Sequence, residues 1–414
     1  MKKSINENNL LKNRILFYIL ALVVFLFFVN DYSLVTADKI AIVVAIGVDE
    51  AESEGYEVSA EVVIPPSASD ESSAGSKQTV LSAKGQTIAE AVSNLFIETG
   101  WYPKLNYCNI IVLSEEIAKK GAMLVLEYFL RSETIMDSAI VVVAKDSSSK
   151  KILETSTPLD NVSAFSLQKI AFERYINYSD VVTSNLKDFT RRYYDFGSGS
   201  VLAAVSISPF DAESSKESTQ STLTGDFKLF DMTSSALFDT DRLVGFIEAD
   251  QTKVYNYLKK DVVGSTFDVI GVEAPGYSDK PCDYTLEIIR QKRKVKTDII
   301  DETLCCDVEI DLKVKISDTS GRNTSVMDIT TSYELPEILE KEAAKQVEER
   351  LSLLFEKFNE TNCDGLNIGK SMNAFKHNKW LGFKNAGNFK TYAKDIKYTV
   401  KVSVSGLKTA EIDQ

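Results

Sequence analysis

The sequence is poor in the residues that most often carry out chemistry. It has one histidine, His377, and five cysteines in 414 residues. No acidic or nucleophilic motif lies beside His377, so we expect a surface histidine rather than a catalytic base. The cysteines are irregularly spaced, which does not predict a disulfide framework, and no closely spaced Cys and His pairs indicate a zinc site. We therefore expect a protein without catalytic residues, without a bound metal and without a cofactor.

Positive charge is also scarce beyond the N-terminus. The chain has 47 Lys and Arg against 60 Asp and Glu, which gives a net charge of −13. Residues 38–414 carry −15, because they hold 43 of the basic and 58 of the acidic side chains. A surface of this sign repels phosphates, so general nucleic-acid binding is excluded as a function.

One long apolar run lies near the N-terminus. Residues 15–29 contain no charged side chain, and about 20 mostly apolar residues are needed to cross ~30 Å of hydrocarbon. Leu10 and Leu11 extend the run, while Lys12 and Arg14 can reach back toward the lipid headgroups. The run therefore predicts one membrane span. Its anchor residues are Ile15, Leu16, Leu20, Val24, Phe28 and Val29.

The charges beside this run predict its orientation. Four basic residues precede it, and Asp31 and Asp38 follow it, so the positive-inside rule keeps the N-terminus in the cytoplasm and exports the rest. Either the segment stays as an anchor, or it is a signal peptide that is removed after the small-residue site at 35–37. Lipid attachment is not expected, because the first cysteine is Cys108.

The chain from residue 38 to about 276 alternates between strand and helix patterns. Two helices are predicted after the capping residues Thr87 and Ser114, and Gly121 interrupts the second helix. Further helices are predicted at 148–154, 160–175, 181–194 and 250–258. The polar stretches 65–78 and 211–222 are predicted to be loops. Strands are predicted at 40–48 and 56–64, which form an antiparallel pair, and at 79–84, 107–113, 138–144, 200–208, 227–230 and 236–238.

The last third of the chain has the clearest periodicity. Apolar and polar residues alternate over 308–316 and 398–404, which predicts two half-buried strands. Between them, Pro336 suits the first turn of a long helix. An antiparallel sheet with this helix packed across it is predicted. The apolar face of the helix consists of Leu339, Ala343, Val347, Leu351, Leu354 and Phe358.

These patterns predict an α+β protein. It has three consecutive mixed α/β domains, built on largely antiparallel sheets, after an N-terminal membrane segment. The predicted parts are a cytoplasmic leader with the anchor or signal peptide at 1–37, a first domain at 38–197, a small middle domain at 198–276 and a C-terminal domain at 277–414.

A basic tract interrupts the acidic background in the C-terminal part. It is either the solvent face of a strand or loop, or a contact for anionic lipid headgroups or an acidic partner. In the second case each basic residue would contribute about 1 kcal/mol to the free energy of binding, if the tract lies near a charged surface. This candidate docking tract consists of Arg290, Lys292, Arg293, Lys294 and Lys296.

Several short motifs, taken in order, resemble the C subunit of spore germinant receptors, the Ger(x)C family. They are Ala-Ile-Gly-Val-Asp at 45–49, Gly85 before the capped helix, the run at 110–118 with Gly121, the run at 237–245, and Asp-Gly-Leu-Asn-Ile-Gly at 364–369 followed by Trp380. Nearly the whole chain is covered, although Met136 stands about where the family commonly has a second arginine. The family-pattern residues, whose role is not known, are Gly47, Asp49, Glu115, Gly121, Arg131 and Gly245.

The resemblance implies a noncatalytic receptor subunit on the outer face of the spore inner membrane. It implies a complex with a multispanning A subunit and a permease-like B subunit, and a role in nutrient-triggered germination. Whether this subunit contacts the germinant stays open. The alternative is a membrane-anchored extracytoplasmic sensor or solute-binding protein of an unrelated system.

Overall fold

The computed structural model of the chain describes residues 12, 14–25, 40–52, 54–64, 77–97, 99–131, 135–195, 199–209, 228–273, 280–320, 335–385 and 391–406. The predicted loop at 211–222, most of the predicted loop at 65–78, and the anchor residues Phe28 and Val29 lie outside these ranges. Residues 77 and 78 of the first loop belong to a strand instead.

Residues 40 to 247 build one mixed sheet, which has ten strands within the described residues. The strand order is β10-β9-β7-β6-β5-β1-β2-β3, with β4 paired to β1 and β8 paired to β7. The predicted antiparallel pairing of the first two strands is confirmed. The strands are β1 Ile40–Glu50, β2 Tyr56–Ile64, β3 Lys77–Gly85, β4 Tyr102–Lys104, β5 Ile110–Leu113, β6 Ile140–Ala144, β7 Ser200–Pro209, β8 Lys228–Asp231, β9 Ser235–Asp239 and β10 Arg242–Ile247.

The centre of this sheet corrects the expectation of a largely antiparallel first domain. Strands β1, β5, β6 and β7 pair in parallel. All residues of β5 and β6 are buried, as is typical of parallel strands covered on both faces. Strands β7 to β10, which the sequence assigned to a separate middle unit, are hydrogen-bonded into this same sheet.

Helices cover both faces of the large sheet. One core contains apolar residues of α1, α2, α3 and α6, among them Phe129 and Phe189. The opposite core contains residues of α4 and α5, among them Ile152 and Leu167. The unit therefore has an α/β/α layering. The helices are α1 Ile88–Ile97, α2 Glu115–Gly121, α3 Met123–Arg131, α4 Ser149–Leu153, α5 Ser163–Glu173 and α6 Leu186–Tyr194.

The C-terminal part builds a second sheet in the order β11-β12-β13-β14. The predicted long helix α8 is confirmed, and all six residues of its predicted apolar face are buried. The elements are α7 Ala249–Lys259, β11 Thr266–Val272, β12 Cys282–Ile300, β13 Thr303–Thr319, α8 Glu337–Thr361, α9 Ile368–Phe375, α10 His377–Asn385 and β14 Lys397–Gly406.

The last strand of this sheet corrects a second expectation. Strand β14 pairs in parallel with β13, so that Cys305 lies opposite Lys397 and Val314 opposite Gly406. The helical segment between the two strands explains this direction, because a crossover through a helix returns the chain to the same end of the sheet.

The two sheets meet where α8 ends. The amide of Asn362 donates a hydrogen bond of 2.9 Å to Asp239 in β9. A Cβ on Gly199, just before β7, would lie 2.6 Å from the backbone nitrogen of Asp364, so the two backbones are in close contact. A single hydrophobic cluster joins Val201 and Leu237 of the large sheet to the core under α8. The segment 361–369, called here the joint, therefore connects both sheets.

The carboxylate of Asp364 organises this joint. It accepts hydrogen bonds from the backbone N–H groups of Ile368 at 2.7 Å and Gly369 at 2.8 Å, and from the Tyr392 hydroxyl at 2.6 Å. The side chain is buried, and burial raises the pKa of its carboxyl. It thus satisfies the first turn of α9 and ties that helix to the segment before β14.

We predict that Asp364→Ala destabilises the folded chain by about 2 to 4 kcal/mol, because two helix N–H groups and a buried hydroxyl lose their acceptor. Urea unfolding of the detergent-solubilised chain, followed by circular dichroism, measures this change. Asp395→Ala is the matched control, since Asp395 is exposed in the same region and its loss should cost less than about 0.5 kcal/mol. Equal effects of the two substitutions would contradict the assigned role.

Candidate docking surface and family-pattern residues

The candidate docking tract lies on the long strand β12. Because side chains alternate between the two faces of a strand, the five basic residues are divided between the two faces of the sheet. Arg290, Lys292, Lys294 and Lys296 are exposed on the outer face of the second sheet. Arg293 lies on the other face, where its guanidinium contacts the Asp261 carboxylate at 2.6 Å. The structure therefore brings four of the five charges together.

Carboxylates on the neighbouring strand lie opposite three of these four residues. In the register of β12 with β13, Lys296 pairs with Asp307, Lys294 with Glu309 and Lys292 with Asp311. The Lys294 ammonium is 3.5 Å from the Glu309 carboxylate. The outer face is thus less positive than the tract alone indicates.

The excess positive charge of this face lies at the Arg290 end of the tract. Arg290 is opposite Lys313 in the sheet register. Together with Lys292 they surround a depression of about 210 Å³ whose acidic residue, Asp311, accepts a hydrogen bond from the Ser403 hydroxyl. This depression, called here the basic depression, offers cations to an acidic group on a partner surface.

Two family-pattern residues position helix α4 against the large sheet. Asp49 is the second-last residue of β1, and its carboxylate accepts hydrogen bonds from the Ser149 N–H at 2.8 Å, the Ser149 hydroxyl at 2.7 Å and the Lys150 N–H at 3.0 Å. A Cβ on Gly47 would lie 2.6 Å from the Ser149 hydroxyl oxygen. Gly47 leaves the space that the helix needs, and Asp49 caps the helix across about one hundred residues of chain.

The family-pattern residue Gly121 belongs to the contact between α2 and the turn after β9, whereas Glu115 makes an ion pair within α2. Gly121 has a φ of +141°, and a Cβ there would lie 2.9 Å from the Asp241 carboxylate. The Ala122 N–H donates to the Asp241 carbonyl at 2.8 Å. Glu115, in the first turn of α2, pairs with Lys119 at 2.7 Å. Glycine is needed at 121 for its conformation and for this close approach.

The remaining two residues of the pattern lie apart from these contacts. Gly245 in β10 faces the end of α8, since a Cβ there would meet the Thr361 side chain at 3.3 Å. Arg131 is exposed and lies 3.8 Å from Glu127 on the same helix. The six residues therefore do not converge on one pocket; four lie at close contacts between elements.

No sequence pattern pointed to Glu61, a buried carboxylate in β2. It accepts hydrogen bonds from the Ser163 N–H and hydroxyl, both at 2.8 Å, and from the Ala164 N–H at 2.9 Å. Burial raises the pKa of this carboxyl, against the effect of those hydrogen bonds. Its partners at the start of α5 lie 102 residues further along the chain, so only the folded structure reveals the pairing.

The histidine and the cysteines take no part in a recognisable chemical site. His377 is exposed, with Nδ1 3.0 Å from the Asn373 side-chain oxygen. None of the five cysteines, all of which lie in the described ranges, forms a disulfide, and burial raises the pKa of Cys108 and of Cys306 to about 12. In the part of the chain that the structure describes, no group of three or more His, Cys, Asp or Glu residues could hold a metal ion.

The N-terminal apolar segment is helical over residues 14–25. Ile15, Leu16, Leu20 and Val24 expose roughly half or more of their surface, from 48% to 67%. A search restricted to the described residues finds no helix that is both long enough and apolar enough to cross a membrane.

Comparison with known proteins gives two consecutive family matches. The family described as "Spore germination protein N-terminal domain" matches residues 35–207, and the family described as "Spore germination B3/ GerAC like, C-terminal" matches residues 233–406. A solved structure titled "Crystal Structure of the GerBC protein" has a similar fold, with a TM-score of 0.51 and 15% identity over 88% of this chain and 97% of that chain. No curated protein matches the chain.

We predict that Gly47→Ala destabilises the chain by about 1 to 3 kcal/mol, because the added methyl group overlaps Ser149 in a close-packed contact. Gly382→Ala is the control: Gly382 lies in α10 with no atom within 4 Å of the new Cβ, so alanine should stabilise the helix by up to about 1 kcal/mol. Thermal unfolding of both variants measures the difference. A Gly47→Ala variant as stable as the parent would show that the helix can move away without cost.

Proposed function

Because the chain belongs to the Ger(x)C family of spore germination proteins, we propose that it is the noncatalytic C subunit of a spore germinant receptor and acts by docking to the receptor's A and B membrane subunits. The observation that carries this proposal is the match of both family domains, in order, over most of the chain. The buried, high-pKa thiols Cys108 and Cys306 and the exposed His377 agree with a role that does not use covalent chemistry.

The proposed place of the protein is the outer face of the spore inner membrane, where residues 15–29 anchor it. Two observations support this location. The described part of that segment is a helix whose apolar side chains contact no protein core, and a lipid environment would cover such a surface. The basic leader before it orients the large sheet and the joint toward the outside of the membrane.

The proposed docking surface is the outer face of the second sheet, centred on the basic depression. Arg290, Lys292 and Lys313 offer positive charge there, on a chain whose exported part is strongly acidic. Charge of this sign favours an acidic surface of a partner subunit or anionic lipid headgroups. The strands hold these side chains on a rigid surface, which lowers the entropy that docking costs.

We predict that the double substitution Leu20→Arg with Val24→Arg releases the protein from the membrane, because each arginine in the hydrocarbon costs about 3 kcal/mol. Fractionation of spore membranes after an alkaline wash measures the bound share. Leu353→Arg is the control, since Leu353 is an exposed leucine on α8 and its replacement should leave membrane binding unchanged. N-terminal sequencing completes the test: a mature protein that starts at Asp38 would contradict the anchor.

We predict that replacing Arg290, Lys292 and Lys294 together by Gln weakens co-purification with the A and B subunits. Glutamine is preferred to glutamate because new carboxylates at 292 and 294 would face Asp311 and Glu309 and destabilise the strand pair. The expected loss is about tenfold in recovered complex, and larger at low salt, where charges are screened less.

The control for this triple variant removes the same charge elsewhere. Lys151, Lys341 and Lys345 are exposed on α4 and α8, and their replacement by Gln should leave the complex intact. Thermal unfolding verifies that both triple variants are folded. If the tract variant recovers its partners as well as the control does, the docking surface lies elsewhere on the protein.

A further inference from the structure

A cleft of about 340 Å³ opens between α7, β12 and the joint. This volume is within the range of small-molecule sites, about 300 to 1,000 Å³. Its wall combines cationic, hydroxyl and apolar side chains, and no acidic residue is among those that line it in the described ranges. The lining residues are Leu258, Lys259, Arg293, Val295, Thr297, Leu366, Ile368 and Ser371.

Lys259 is the first cation of this cleft. Its ammonium contacts a backbone carbonyl, that of Gly365 at 3.4 Å, and lies 5.7 Å from the centre of the Tyr255 ring. Burial, together with repulsion from Arg192, lowers the pKa of Lys259 to about 8. The negative charge of the nearby Asp364 partly offsets these two effects, but the only direct contact of this half-buried ammonium with an acceptor that is described is a neutral carbonyl, so an anion in the cleft would improve its surroundings.

Arg293 is the second cation. Its partner Asp261 is largely exposed to solvent, so water weakens the attraction within this ion pair. The positive charge of the guanidinium is therefore only partly neutralised and still acts on the cleft. Nearby, Nη1 of Arg192 is buried without a hydrogen-bond partner among the described residues. Among the residues that line the cleft there are thus two cations and no carboxylate, on a chain whose net charge is −13.

The rest of the wall gives the ligand its shape. Leu258, Val295, Leu366 and Ile368 supply apolar surface, and the hydroxyls of Thr297 and Ser371 can donate hydrogen bonds. A ligand that suits both parts has an anionic head and a short apolar body. A free amino acid suits it less well, because its ammonium would meet two cations and no carboxylate among the lining residues.

We propose that this cleft binds a small organic acid, with its carboxylate on Lys259 and Arg293 and its apolar body against Leu258 and Val295. Arginine and lysine bind carboxylates through charge-assisted hydrogen bonds, which are strengthened where water is partly excluded. The inference is independent of the proposed docking role, since the cleft and the outer face of β12 lie on opposite sides of the strand.

Isothermal titration calorimetry on the full chain in detergent tests the ligand class. The probes are isovalerate, leucine and isoamyl alcohol, which share the same isobutyl group, and measurements are made at constant ionic strength. We expect isovalerate to bind at least about tenfold more tightly than either of the others, because only it is a net anion. Absence of isovalerate binding, or tighter binding of leucine or of inorganic phosphate, would overturn the proposal.

Two variants locate the binding. Lys259→Met and Arg293→Gln should each weaken isovalerate binding at least about tenfold. Lys345→Gln is the control, since Lys345 is exposed on α8 and lies outside both the cleft lining and the basic depression, and it should bind like the parent. Lys259→Met removes a buried charge and keeps a side chain of similar length, so we expect a folded protein with an unchanged or higher Tm. Parent-like binding by this folded variant would overturn the site.

Discussion

The burial of one carboxylate, Asp364, is the constraint on which the joint between the two sheets depends. A buried charge is tolerated only where its hydrogen bonds are satisfied, and here the first turn of α9 and the Tyr392 hydroxyl supply them. The fit around it leaves no spare room. A Cβ on Gly199 would meet the Asp364 backbone, and one on Gly365 would lie 2.5 Å from the Phe358 ring. The end of α8 is therefore closely packed against the large sheet.

The same physical device recurs in the large sheet. Asp49 caps α4 and Glu61 caps α5, and each carboxylate receives two backbone N–H groups and a serine hydroxyl. In both pairs the acceptor is on an early strand and the helix follows about one hundred residues later. Such caps fix how each helix lies on the sheet, because a carboxylate at a helix N-terminus satisfies donors that the helix cannot. The family-pattern residues Gly47 and Asp49 are explained by this packing.

Local pattern was enough to predict most elements, and long-range pairing was not. The alternation in β13 and the apolar spacing of α8 are properties of neighbouring residues, so the sequence revealed them. The parallel centre of the large sheet, the inclusion of β7 to β10 in it and the direction of β14 depend on which distant strands pair. The basic tract shows the same limit. Its positive charges could be read from the sequence. Which carboxylates lie opposite Lys292, Lys294 and Lys296 is known only from the register of the two strands.

The proposed organic-acid cleft adjoins the joint through the residues that hold both in place. Lys259 contacts the Gly365 carbonyl, and Ile368 both lines the cleft and donates to Asp364. A ligand can shift a conformational equilibrium only by binding its states with different affinity. Because the wall of the cleft contains α7, β12 and the joint, any change in how the two sheets meet would alter the wall and hence the affinity. The second sheet, which would dock to partners, and the large sheet are thus linked at one place. A small anion bound there could act on both.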